Sequence, residues 1–152
     1  MIITAWLVVS VKHLASAFSG EGARINGGRW NNKGTSIIYT SGTISLASME
    51  IIVHLPAPAL LDQYTTVAVQ FDEKLIESLT DLPETWNDRP PSIDTKHIGD
   101  RWVAEKRSAV LKVPSVIVPA EHNYLLNPGH PDWKHINIQK PEPFSFDPRL
   151  SH

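Results

Sequence analysis

Residues 19–34 hold five glycines (Gly20, Gly22, Gly27, Gly28 and Gly34) and two arginines, Arg24 and Arg29. A single carboxylate, Glu50, follows on a mostly apolar run that closes at His54. Glycine lets backbone approach a ligand closely. Arginine offers a planar fork matched to phosphate oxygens. A lone glutamate nearby can stabilise developing positive charge. The combination suggests a phosphate-bearing ligand whose reaction passes through a cation.

The surrounding pattern sets out the elements that must hold these groups. Residues 3–9 read as a first strand, and residues 12–18 as one or two helical turns ended by Gly20 and Gly22. Residues 19–36 are loop-like, punctuated by Gly27, Gly28 and Gly34, and 37–40 form a short strand. Thr43 or Ser45 can cap a helix running to about Leu55, where Pro56 and Pro58 stop it. Leu46, Met49, Ile52 and Val53 fall at helical spacing and should face the core, with Glu50 beside them and partly buried. Further on, 65–71 is a strand and 73–79 a short helix. Residues 81–93, with Pro83, Pro90 and Pro91, form a loop. Asp94 can cap a helix through about Arg107, with Ile98, Trp102 and Val103 inside. Residues 109–113, 115–118 and 122–126 are strand-like pieces broken by Pro114, Pro119 and Pro128. The Pro-rich tail, 140–152, is expected to run extended along the surface. Scattered strands and helices predict an α+β fold: a single domain over 1–152 with a split, partly antiparallel sheet and a few helices.

Composition narrows the chemistry. A chain of 152 residues favours one domain with room for a core. The formal charge of −2 gives no bulk attraction to nucleic acid or acidic membranes. The absence of cysteine removes disulfides, thiolate zinc sites and cysteine nucleophiles together, and is compatible with a reducing cytoplasm. The apolar N-terminus, Ile2 to Val9, is short, lacks a basic leader and meets Lys12 and His13 soon after, so it reads as a buried strand. Seven histidines invite a metal reading, but His130 and His135 are five apart, a poor helical spacing for a shared ligand. No metal is expected.

Three ordered blocks resemble the RES domain, the toxin half of RES–Xre toxin–antitoxin pairs in bacteria. The first runs from Ser19 to Glu50 with His54. The second spans 113–131, with Ser115, Asn123, Tyr124, Asn127, Pro128, His130 and Pro131. The third is the tail with Phe144, Phe146, Asp147, Pro148, Arg149 and Leu150. The resemblance implies an ADP-ribosyltransferase-like fold and an enzyme that degrades NAD+ at the bond between nicotinamide and ribose, with water or inorganic phosphate taking the ribosyl carbon. It makes Arg29, Glu50 and Ser115 the residues that name the family, and Tyr39 the active-site tyrosine. Glu50 would stabilise the ribosyl cation or hold its hydroxyls, and Arg29 with Arg24 would grip the pyrophosphate. Tyr39 would pack on the nicotinamide ring, Ser115 and Asn123 would hydrogen-bond the substrate, and Trp30 would shape the binding loop. It also implies a cytoplasmic protein that needs no resident cofactor and pairs with an Xre-type antitoxin as a hetero-oligomer. The antitoxin, rather than this chain, would carry the DNA-binding element.

Each of these residues also has a plainer reading. Arg29 could brace its loop, Glu50 could form an ordinary ion pair with it, and Tyr39 could belong to the core. Ser115 could satisfy backbone groups, and Asn123 could serve a turn. Two other functions fit the same residues. One is transfer of ADP-ribose to a macromolecule, disfavoured because no acid closely precedes Glu50. The other is a binding module without turnover, suggested by Leu7, which follows Trp6 where many relatives carry an arginine.

Overall fold

Strand alternation builds the centre of the molecule. In the computed structural model, which describes residues 1–151, β1 (Ile2–Ser10) and β3 (Tyr64–Asp72) pair antiparallel from Ile2 opposite Asp72 to Ser10 opposite Tyr64. Successive side chains leave a strand on opposite faces. Ala5, Val69 and Phe71 therefore enter one core, with Ile38, Val110 and Leu126. Trp6, Val8 and Tyr64 enter another on the opposite face, with Ala47, Leu60 and Phe146.

The remaining strands are β2 (Ile38–Ser41), β4 (Ile76–Ser78), β5 (Val110–Pro114), β6 (His122–Leu126), β7 (Asn137–Ile138) and β8 (Glu142–Phe144). Their order is β4-β5-β6-β2-β1-β3-β7, with β8 also on β3. Strands β4 and β5 run parallel and the other described pairs antiparallel. β2 pairs β6 over four residues but meets β1 at one register position, Trp6 opposite Ser41. The sheet expected to be split is thus one continuous path narrowed to a single rung, and the α+β class holds.

Three α-helices are described: α1 (Glu21–Asn26), α2 (Ile44–His54) and α3 (Ile93–Ala104). α2 starts as the sequence predicts, with the Thr43 hydroxyl accepting the Leu46 N–H at 3.1 Å. Its inner face differs in part. As expected, Leu46 is buried and Ile52 packs on the core of the buried Ala47, where Ile51 joins it, whereas Met49 and Val53 are 39% and 57% exposed. At about 100° per residue, Glu50 falls about 40° from Leu46 and about 60° from Ala47. It therefore sits within the buried arc rather than beside it.

Other expectations need correction. α1 forms inside the stretch read as loop, ending where the Gly27 N–H donates to the Ala23 carbonyl. Residues 73–79 give a 3₁₀ turn and then β4, because pairing with β5 outweighs local helical preference. The cap of α3 is Ser92, whose backbone is extended as a cap requires. Asp94 lies in the first turn and accepts the Thr85 hydroxyl at 2.7 Å. That helix stops before Arg107, with Lys106 at φ 49° just beyond it. Residues 115–118 are a turn, not a strand. The tail is more than a surface strip: β8 adds to β3, and Phe146 is 7% exposed, edge-on to Tyr64 at 5.0 Å.

Candidate active site

Two apolar patches share the sheet face that carries Trp6. One is built on Trp30, Ile37, Trp102, Leu111, Val113 and Leu125, and the other on Val8, Ala47, Leu60 and Tyr64. Between them, beside the one-rung seam, register places Tyr39, Ser41 and Asn123 on the same face as Trp6. α2 covers the second patch and brings Glu50 over this polar gap.

Arg29 enters from the turn between Gly28 and Asn31, a narrow bridge in which the Gly28 N–H donates to the Asn31 carbonyl at 3.0 Å. Asn31 is fully buried and holds the turn together. Its Nδ2 lies 2.9–3.2 Å from the carbonyls of Ala23, Asn32 and Thr35, and its Oδ1 accepts the Tyr39 hydroxyl at 2.6 Å. The Tyr39 oxygen in turn accepts the Trp30 N–H at 3.1 Å. Burial pushes this phenol far above its ordinary pKa, so it stays protonated and donates. Only glycine fits at 28, because a Cβ there would stand 2.6 Å from the Tyr39 oxygen. The turn is docked on α3: Thr95 donates to the Arg29 carbonyl at 2.6 Å, and Asp100 accepts from Asn32 N and Nδ2 at 3.0 and 2.8 Å.

Tyr39→Phe tests this arrangement. It strands the Trp30 N–H and the Asn31 oxygen, at a cost of about 1–3 kcal/mol. The expected fall in Tm is about 2–4 °C per kcal/mol for a chain of this size. A variant melting with the wild type would mean the hydroxyl is not part of the turn's support.

Glu50 is one-third exposed, with Asn123 Nδ2 3.5 Å and His54 Nε2 3.8 Å from its oxygens. Asn123 also donates to the Thr40 carbonyl at 3.2 Å and the Ser41 hydroxyl at 3.1 Å, which fixes it on the strand. Burial raises the carboxyl pKa, while His54, Asn123 and Arg29, in that order, pull it back. Burial and then Arg89 lower the Arg29 pKa, opposed by Glu50, Tyr39 and Asp88. Arg29 and Glu50 thus feel each other's charge. No ion pair joins them among the described residues; Arg29 Nη1 instead donates to the carbonyls of Trp86 at 3.1 Å and Asp88 at 2.8 Å.

The structure therefore gathers Arg29, Tyr39, Glu50 and Asn123. It places the other candidates differently. The Ser115 side chain is fully buried, and its hydroxyl accepts the N–H groups of Ile117 and Val118, both at 3.1 Å. Trp30 is 2% exposed and packs with Trp102 in the core. Arg24 is exposed and turned to Glu21, with Nη2 2.9 Å from Oε1. Leu7 leaves β1 on the face opposite Trp6, away from α2. Asn31, Thr95 and Asp100 were not singled out from sequence, and a polar side chain in a loop gives no sign of which backbone groups it will meet. A surface cavity of about 250 Å³, lined by Leu82, Lys112, Pro114 and His122, lies elsewhere, so it is the side-chain chemistry that marks the site.

The chain is similar to known proteins along nearly its whole length. The RES domain family matches residues 4–147. Toxin Res of Yersinia enterocolitica is 37% identical over 94% of this chain and 96% of its own length. Toxin Res of Photorhabdus laumondii is 40% identical over 91% of each. The Prs ADP-ribosylating toxin of Sphingobium sp. is 39% identical over 90% of this chain and 88% of its own. In fold, a chain of the M. tuberculosis MbcT–MbcA toxin–antitoxin complex aligns with a TM-score of 0.77 at 16% identity, covering 99% of this chain and 87% of that one.

Proposed function

Because this chain belongs to the RES domain family, we propose that it is a toxin enzyme that breaks the nicotinamide–ribose bond of NAD+ and is neutralised by a cognate Xre-type antitoxin. One observation carries the reading: Glu50 and Arg29 share a polar gap without pairing. The carboxylate, with only a 3.8 Å approach from His54, faces a developing cation, and Arg29, whose Nη1 is held by the Trp86 and Asp88 carbonyls, keeps Nε and Nη2 for phosphate.

The bond from ribose C1 to the nicotinamide nitrogen breaks with its electron pair going to the ring, which becomes neutral. Positive charge moves onto the ribose. Glu50, oriented by Asn123, stabilises that charge in a partly desolvated setting where fixed charges act strongly. Arg29 holds the diphosphate, and Tyr39 offers a ring whose orientation its hydroxyl fixes. Water then attacks C1 to give ADP-ribose and a proton, or phosphate attacks to give ADP-ribose-1″-phosphate. Transfer to a macromolecule is the second reading, favoured by the name of the Sphingobium relative.

The test is incubation of the purified chain with NAD+, with and without inorganic phosphate. Release of nicotinamide is expected, and the ribosyl product separates water from phosphate as acceptor. Radiolabel from the adenylate half appearing on protein or nucleic acid would favour transfer. If a preparation that arrests growth when expressed releases no nicotinamide, the proposal fails.

A further inference from the structure

Arg89 belongs to none of the motifs that mark the site, yet two contacts bring it there. Arg29 Nη1 reaches the carbonyl of Asp88, the residue before it, at 2.8 Å. The Arg89 guanidinium reaches across to the Val116 carbonyl, with Nη2 at 3.5 Å. Val116 lies in the turn folded by the Ser115 hydroxyl, which accepts the two N–H groups that follow. The loop that Arg29 anchors and the turn that Ser115 builds are therefore bridged by one exposed arginine.

Neither guanidinium is paired with a carboxylate among the described residues; each is held by neutral carbonyls. They stand close enough for the Arg89 charge to lower the pKa of Arg29. Two like charges so placed repel each other in the free protein, and a dianion between them relieves the repulsion. The Arg89 contact with Val116 uses only Nη2, at 3.5 Å, which leaves Nε and Nη1 to make charge-assisted bonds while the turn still holds the side chain.

We infer that Arg89 is the second arginine of a diphosphate clamp, gripping with Arg29 the two phosphates of a dinucleotide, and that Ser115 is the positioning residue that presents it. This rests on the NAD+ reading above. It gives the buried serine a task that its occupied hydroxyl can perform without touching substrate.

Arg89→Gln in the full chain tests it. Diphosphate binding is made in ground and transition states alike, so its loss raises KM and leaves kcat in place. The expected result is a KM for NAD+ about tenfold higher, equivalent to about 1.4 kcal/mol, with kcat within about twofold and an unchanged Tm. ADP-ribose binding should weaken by the same factor, and Arg89→Lys should recover part of it. Ser115→Ala should raise KM in the wild type but add little in the Arg89→Gln background, a coupling that general destabilisation would not produce. Wild-type KM and ADP-ribose affinity in Arg89→Gln, or a fall in kcat with both unchanged, would overturn the inference. If the wild type does not consume NAD+, the functional reading has failed, and ADP-ribose affinity alone then decides whether Arg89 binds a diphosphate.

Discussion

Glu50→Gln is expected to lower kcat for NAD+ cleavage by about 10²–10³ while leaving the fold at least as stable at neutral pH. Glutamine keeps the shape and the contact with Asn123 but removes the charge that, in the proposed mechanism, faces the ribosyl cation. The stability half follows from the raised pKa. Burial makes folded Glu50 hold its proton more tightly than the unfolded chain does. The resulting stabilisation is complete below the ordinary carboxylate pKa and is lost as pH rises through the folded value. Above that value the ionised side chain costs stability, a cost absent from the glutamine variant. At neutral pH the variant should melt at or above the wild-type temperature, and the advantage should vanish in acid. The wild-type kcat/KM, which reports the free enzyme, should decline on the acid side at a higher pH than an ordinary carboxylate would give. Unchanged kcat would remove Glu50 from the reaction, and a Tm several degrees lower would show that its charge stabilises the fold.

Gly99→Ala should be the most damaging small change to the scaffold. Gly99 is buried on α3, and a Cβ there would overlap the Trp30 carbonyl oxygen and lie 2.7 Å from its carbon. Backbone cannot swing aside as a side chain can, so α3 and the Arg29 turn must separate. The Thr95 and Asp100 bonds that dock the turn lengthen together. The cost is expected at the upper end of the about 1–3 kcal/mol typical of overpacking, a fall in Tm of about 6–12 °C. A raised KM for NAD+ should accompany it as Arg29 moves. Gly22→Ala is the control: nothing lies within 4 Å of a Cβ at that position in α1, so a gain of about 0.5–1 kcal/mol is expected. Equal melting of Gly99→Ala and wild type would show that the helix and turn are not in rigid contact.

Local signals were readable where local chemistry decides the outcome. Thr43 caps α2 because its hydroxyl meets an amide three residues away, and the prolines after Leu55 end the helix. β1 and β2 show as short apolar runs, β3 as an alternating one, and β6 as a strand-length piece between prolines. Sequence does not separate the inner from the outer residues of α2, because the exposed Met49 and Val53 are as apolar as the buried Leu46. Only the sheet beneath decides which arc is covered, and here that arc includes the charged Glu50. Arg29, Tyr39, Glu50 and Asn123 could be named from their resemblance to a family pattern, but not seen to converge, since 73 residues separate Glu50 from Asn123. The service given by Asn31 and Ser115 to the backbone, and the reach of Arg89 to Val116, are long-range or loop-borne contacts without periodicity.

The single rung between β1 and β2 bears on when the molecule can first act. Synthesis proceeds from the N-terminus, so β1 waits for β3, and β2 has almost nothing to hold it until β6 has been made. Asn123 arrives with β6. A nascent chain that has passed Glu50 carries Arg29, Tyr39 and the carboxylate but no surface on which to assemble them. Interrupted translation upstream of residue 122 should therefore yield inert fragments, and on the proposed reading NAD+ is out of reach of this chain until about four-fifths of its 152 residues have been made.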